Sequence, residues 1–498
     1  MSPLTDRLST VWDDRATTAD FDLLGELDDV LGGIGLSSKD TGGEVSWTGA
    51  DPVVPSPVRI GGAATICLLA KSIAAAALHR DRGGPGQDVS ADLRRAPHRL
   101  CPFYDRRWER IGGYPVTSTL ETTNAMAFTF YRCRDGSYVM PQNMYPGLRK
   151  RAEDLLGVPL TKKAVTEAIA RWDGPELEEA AAGAGVVMPL LRTLPEMLAT
   201  GQYRDVLADL PLIEITKIAD SAPEPLPPVG EQPFDGLRAL GMGHVIAGAG
   251  LGRSLALHGA DVLNLWRPGE AENEVPYASA NVGVRSSWLD PRRDRDRLSA
   301  LLRESDVFFH NRRRQLVSEI GMTPEEAAAE RPGLVYVTVS LHGLDGPWAS
   351  RPGFDQSAGS VTGIMLADGA EPRLPPIMVV NDYLVSWLAQ AGVVAALRRR
   401  AVEGGSYHVH VSLTRVALWI LSLGLLDNGW ARSTVDSGGD RHRYLDPRTF
   451  TADTPLGTYQ GVTDQVEMSA TPGRYDPVLV PRGSCAAAWR ERGQAAVR

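Results

Sequence analysis

The residue types in this chain that can do chemistry gather in one stretch, Leu334 to Gly359, which reads LVYVTVSLHGLDGPWASRPGFDQSAG. Val335, Tyr336, Val337, Thr338 and Val339 have the β-branched and aromatic make-up of a buried strand. Gly343-Leu-Asp-Gly346-Pro347 breaks any regular element, and the small-residue run Gln356 to Gly359 opens a helix. Asp355 therefore falls after the carboxyl end of a strand and at the start of a helix. Backbone N–H groups gather there and stabilise a carboxylate and any negative charge developing beside it. Two readings follow: a nucleophilic carboxylate, or an aspartate that only caps its own helix, where Asp is a favoured N-cap. Gly343, Gly346 and Gly353 allow close backbone approach. His342 is a candidate base, although isolated histidines are more often structural or solvated.

A second group surrounds Gly241, Gly243 and Gly248, a loose glycine loop and not a true G-x-G-x-x-G, so weak evidence for a nucleotide. A dinucleotide site wants an acidic residue at the end of the following strand to bind ribose hydroxyls. Trp266-Arg267 stand there, and arginine suits a ribose phosphate, as in CoA or, less well, NADP. Arg312, Arg313 and Arg314 are a second source of phosphate contacts, or simply a solvated face. His408 and His410 share a strand face without a suggestive third ligand, so no metal is expected. No Ser-His-Asp arrangement is readable from spacing.

The elements that must position these groups alternate. Leu237–Leu240 is a short strand, Leu251–His258 a helix, Ala260–Trp266 a strand, Asp294–Ser305 a helix and Asp306–His310 a strand. The pattern predicts an α/β fold with a doubly wound parallel sheet and ligands at the carboxyl ends of its strands. Upstream, Phe128 to Met144 reads as a hairpin closed by Arg134-Asp-Gly136. Helices follow at Leu148–Leu156, Thr161–Trp172, Pro175–Ala184 and Leu194–Gln202, making a smaller α+β unit. APEPLPPVGEQP, Ala222 to Pro233, is a proline-rich linker. The segmentation is thus 1–58, 59–221, the linker 222–233, 234–425, and a polar, turn-rich 426–498. Ala74 to Ala96 parallels Val393 to Val416 at a separation of about 320 residues, the mark of a duplicated domain, though alanine-rich helix–turn–strand units resemble one another in any case.

The chain has 498 residues, a net charge of −9, 43% hydrophobic and 23% charged residues, and four scattered cysteines. The acidity disfavours nucleic acid and anionic membranes as partners. Polar MSPLTDRLSTVWDD is no signal sequence, and the apolar run Ala63–Leu78, interrupted by Lys71, is too short to span a bilayer. A cytoplasmic protein with reduced thiols is expected.

The Asp355 segment resembles the nucleophile segment of the class III CoA-transferases. The likeness extends through Pro233–Gly269, Asn281–Asp290 and Met378–Arg400, nearly contiguously from Pro233 to Leu425. The resemblance implies a Rossmann-like CoA-binding domain with a smaller α+β domain. It implies that the Asp355 carboxylate attacks an acyl-CoA, giving a mixed anhydride and then an aspartyl-CoA thioester that an acceptor carboxylic acid resolves. Asp382 matches a second acidic position, with a positioning or a capping role. Val245, Ile246, Ala247 and Arg267 match CoA-contacting residues, and CoA is a cosubstrate with no tightly bound cofactor. Arg285 and Ser286 retain part of a Gly-Lys-Arg-Ser motif in which Val284 replaces the lysine, and the glycine-rich lid has no clear match. Racemases of the same fold carry histidine where this chain has Phe354, which disfavours racemisation; a non-catalytic CoA-binding subunit is the other alternative. Family subunits run Rossmann-like domain, small domain, return segment, so this order resembles a permuted or partially duplicated form. The first copy has Ala63 where the second has Asp382, which implies one active centre per chain. A homodimer is the family's usual assembly.

Overall fold

The computed structural model describes residues 2–118 and 125–491. Strand β1 (Gly42–Thr48) leads to helix α1 (Ile60–Asp81) and strand β2 (Gln87–Asp92). A compact α+β unit follows. The hairpin Tyr131–Arg132/Tyr138–Val139 turns at Gly136, whose φ of 86° suits glycine. Helices Pro146–Leu156, Lys162–Ile169 and Gly174–Gly183 pack around it on a core of their own, with Val139, Val165, Ile169 and Leu177 at its centre.

Strand β3 (Glu214–Ala219) precedes the proline-rich segment, which carries no regular structure. The segment is held down: Arg82 donates to the carbonyls of Pro227 (2.9 Å) and Pro233 (2.5 Å). Beyond it come β4 (Arg238–Met242), α2 (Ala249–Leu257), β5 (Asp261–Trp266), β6 (Arg285–Trp288), β7 (Val307–His310) and β8 (Val335–Ser340). Helices α3 (Asp355–Thr362) and α4 (Asp382–Glu403) lead to β9 (Ser406–Ser412), and β10 (Val466–Met468) lies in the tail.

The large sheet runs β6-β5-β4-β7-β8-β9-β3. Its first six strands are parallel, and β3 closes the edge antiparallel to β9. This is a doubly wound order whose direction reverses between β4 and β7, where open α/β sheets leave a crevice for ligands. Helices cover both faces, so the central strands are apolar almost throughout, as Val335–Val339 shows. The strand before the proline-rich segment is thus built into the sheet that follows it.

A second sheet pairs β1 parallel to β2, with β10 returning antiparallel to β2. Strand β1 lies in the segment 1–58, where GGEVSWT is too polar to announce a strand; its residues are exposed or half-buried. Helix α1 has 22 residues, longer than the apolar run suggested and long enough by length and composition to cross a membrane, yet that window is wholly buried inside the fold. It packs against α4, also 22 residues, and Lys71 at its centre is paired with Asp464 of the tail. A buried cation is tolerated only with such a partner.

Candidate active site

The crevice at the sheet's carboxyl edge holds a cavity of about 530 Å3, lined by the loops after β4, β5, β6, β7 and β8 and by the first residue of α4. The turn after β4 is tight for a steric reason. A Cβ on Gly243 would stand 2.6 Å from the Gly248 backbone, and one on Gly248 would meet Asn311 at 2.5 Å. Asn311 receives the His244 N–H (3.0 Å) and donates to the His244 carbonyl (2.9 Å), locking this turn to the end of β7. Val245 is left-handed at φ 59°, a costly state for a β-branched residue, of order 1–3 kcal/mol. Buried Glu272 accepts its N–H at 3.1 Å and the Tyr145 hydroxyl at 2.9 Å, and so holds the strain in place.

Val245, Ala247 and Arg267 line the cavity, and Ile246 turns into the core beside them. Arg285 does not belong to this group. It opens β6 and so lies at the amino end of a parallel strand, away from the crevice, where it grips Asp261 bidentately (2.8 and 2.9 Å) and donates to the Ala488 carbonyl. Val284 is buried against Gly252 in the core, so the position expected to carry a phosphate-binding lysine faces packing instead. Arg312 lines the cavity but is neutralised by Glu270; Arg292 lines it and is paired with Glu319.

The two aspartates differ in what they face. The Asp355 side chain is 2% exposed, and its carboxylate accepts the backbone N–H groups of Val380 (3.1 Å), Asn381 (2.5 Å) and Asp382 (2.9 Å). It caps a helix, but α4 and not its own α3. The N–H groups it accepts are thus those at the start of α4, not those of the helix it opens. Asp382, 7% exposed, lines the cavity, and among the described residues nothing hydrogen-bonds to its carboxylate. Burial, opposed by the three N–H groups, pushes Asp355 up to about 6. Burial and then the Asp355 charge drive Asp382 well above the usual carboxylate range.

The N-terminal half repeats one aspartate and not the other. Buried Asp51 accepts the N–H groups of Gly61 (3.1 Å) and Gly62 (2.6 Å) at the start of α1, and burial pushes it up to about 6. Strands β2 and β9 both follow their long helix directly, and in that register Gly61 and Gly62 match Val380 and Asn381. The position of Asp382 is then taken by Ala63, fully buried. The capping carboxylate occurs twice; the cavity-lining one occurs once.

The other candidates are occupied. His342 Nδ1 is bonded to Thr414 (2.8 Å), its ring packs edge-on against Trp348, and burial pushes it down to about 3. His408 is bonded to Thr338, and His410 to Ser340 and Glu214. His244, Glu270 and Arg151 line the cavity unforeseen, and Tyr145, Glu272 and Asn311 bound it. Asn311 alone had a readable signal, a polar residue just past the end of a strand at the crevice.

Residues 234–460 match the model of CoA-transferase family III. An acetyl-coenzyme A transferase, nodX, of Hypoxylon pulicicidum is 31% identical over 208 residues, 40% of this chain and 35% of that protein. A probable CoA-transferase, Rv1866, of Mycobacterium tuberculosis is 30% identical over 40% of this chain and 28% of its own length. An acetyl-CoA:oxalate CoA-transferase of Acetobacter aceti is 28% identical over 45% and 62% respectively. The chain thus spans between about a quarter and two thirds of these relatives. The solved structure of Rv3272 from M. tuberculosis covers 38% of this chain and 57% of its own at 27% identity, with a TM-score of 0.35. The match over residues 234–460 and the mixed α/β architecture with a large, mostly parallel sheet are consistent with CoA-transferase family III.

Proposed function

We propose that this chain transfers CoA from an acyl-CoA to a carboxylic acid, with Asp382 as the nucleophile and Asp355 as the residue that holds it. The carrying observation is the contrast between the aspartates: one carboxylate is saturated by three N–H groups, while the other meets the cavity without a partner. The Asp51 and Ala63 pair supports the same division, since a cap is needed wherever the long helix begins and a nucleophile only where the chemistry is. This moves the nucleophile from Asp355, the residue the sequence favoured, to Asp382. It also leaves one active centre per chain, with β1-α1-β2 as the inactive partner of β8-α4-β9.

Chemically, an Asp382 oxygen attacks the thioester carbon, and the C–S bond breaks to release thiolate. The acyl-aspartyl anhydride is then attacked by that thiolate at the Asp382 carbonyl, freeing the donor's carboxylate and leaving an aspartyl-CoA thioester. An acceptor carboxylate attacks the thioester and forms a second anhydride. Thiolate attack on the acceptor's carbonyl releases the new acyl-CoA and regenerates Asp382. A carboxylate poorly solvated and free of hydrogen bonds is a stronger nucleophile than a capped one. Arg267, with no acid paired to it among the described residues, suits the nucleotide phosphates.

The test is to incubate the protein with a panel of acyl-CoAs, trap with hydroxylamine, and map the hydroxamate by peptide mass spectrometry. A hydroxamate on Asp382 supports the reading. CoA binding without any adduct would favour a non-catalytic subunit, and α-proton exchange without an adduct a racemase.

A further inference from the structure

Besides Arg267, two guanidinium groups at the cavity form no ion pair among the described residues. Arg151, from the helix Pro146–Leu156, and Arg313, just after β7, both line it. Arg151 gives its Nε–H to the Gly185 carbonyl at 3.2 Å, and neither side chain forms an ion pair among the described residues. They repel one another: Arg313 is held below the usual arginine range by partial desolvation first and by Arg151 second. By contrast the neighbouring Arg312 and Arg292 each have a glutamate.

Their place along the sheet separates them from the nucleotide end. The cavity runs from the loops after β6 and β5, which carry Arg292 and Arg267, past the turn after β4, to the loops after β7 and β8. Strand β4 lies between β5 and β7, so Arg267 and Arg313 stand on opposite flanks, two strand spacings or about 10 Å apart. Asp382 stands between the flanks, because the Ser386 hydroxyl in the first turn of α4 is bonded to the Ala247 carbonyl in the turn after β4 (2.8 Å). A CoA whose phosphates lie with Arg267 passes its thioester at Asp382 and points its acyl group at Arg151 and Arg313.

We propose that Arg151 and Arg313 seat a second carboxylate, so that the acids exchanged at Asp382 are dicarboxylates: one carboxyl reacts while the other is held by the two guanidinium groups. An anion between two unpaired cations relieves their repulsion, and each planar fork offers paired donors to a carboxylate. The proposal rests on the CoA-transfer reading above.

Its test compares succinate with butyrate, of like length but with one carboxylate, as acceptors from acetyl-CoA. The wild type prefers succinate by about tenfold or more in kcat/KM, the scale of one charge-assisted contact. In Arg151→Gln and in Arg313→Gln that preference vanishes through KM, with kcat for butyrate unchanged and melting temperature retained. Equal use of the two acids by the wild type overturns the proposal. So do variants that weaken CoA while leaving 3′-dephospho-CoA unaffected, since the pair would then serve the CoA phosphate. Calorimetric titration of succinate into CoA-loaded protein separates the two readings: binding that both variants abolish upholds the dicarboxylate seat even where Asp382 forms no adduct, and absent binding sinks it.

Discussion

Replacing Asp355 tests the division of labour between the aspartates, because its cost follows from what the carboxylate holds. Asp355→Ala leaves the N–H groups of Val380, Asn381 and Asp382 buried and without an acceptor. At about 1 to 3 kcal/mol for each unsatisfied group, less what an entering water recovers, the loss is roughly 3 to 5 kcal/mol. Asp355→Asn behaves differently. The wild-type carboxyl is raised from 3.8 to about 6, so the fold binds its proton more tightly than the unfolded chain does. This group's contribution is therefore fully present below about pH 4 and lost as pH climbs through 6, which makes ionised Asp355 a burden of up to about 3 kcal/mol at neutral pH. Asparagine sheds that burden and keeps one oxygen for the N–H groups, so at neutral pH its stability stays within about 1 to 2 kcal/mol of wild type. Removing the Asp355 charge also lets Asp382 ionise at lower pH, so the acid limb of kcat/KM shifts downward. Urea denaturation at mildly acidic and mildly alkaline pH reads the stabilities, and pH–rate profiles read the limb. Loss of acyl transfer in Asp355→Asn, with transfer retained in Asp382→Asn, would refute this division of labour.

Other consequences follow from the same geometry. In the wild type the acid limb of kcat/KM lies well above the usual carboxylate range, because Asp382 must be ionised to attack; a rate that stays flat down to about pH 5 would exclude it as the nucleophile. Arg285→Ala breaks a two-pronged ion pair at the amino end of the sheet, so thermal melting falls while KM for acyl-CoA holds; a selective rise in KM would put Arg285 at the site after all. Arg267→Ala raises KM for acyl-CoA about tenfold through the lost phosphate contact, and initial rates at varied acyl-CoA measure it. Lys71→Ala strands Asp464 in the core and costs about 3 to 5 kcal/mol by chemical denaturation, whereas Lys71→Met with Asp464→Leu recovers most of the loss; an inert single substitution would contradict the pairing.

Strands β4, β5, β7 and β8 were legible because a strand covered on both faces must be apolar almost throughout, although β4 runs past Gly241 to Met242. Strand β1 was not, since an exposed, mostly polar strand carries no such signature. Placing Asp355 at a helix start was correct, yet its partners lie 25 to 27 residues further on, and no local pattern can say which helix a side chain caps. Arg285 shows the converse limit: its residue type suits a phosphate, but only strand direction reveals that it stands at the wrong end of the sheet. Arg151 comes from a separate α+β unit, so its approach to Arg313 exists in space alone.

Oxygen exchange into the nucleophile bears on the central claim most directly. When an acceptor acid labelled with heavy oxygen is turned over with unlabelled acyl-CoA, each cycle leaves one acceptor oxygen on the attacking carboxylate. The peptide containing Asp382 should gain that mass, and the peptide containing Asp355 should not. Label on Asp355, or on neither residue during sustained turnover, would contradict the account.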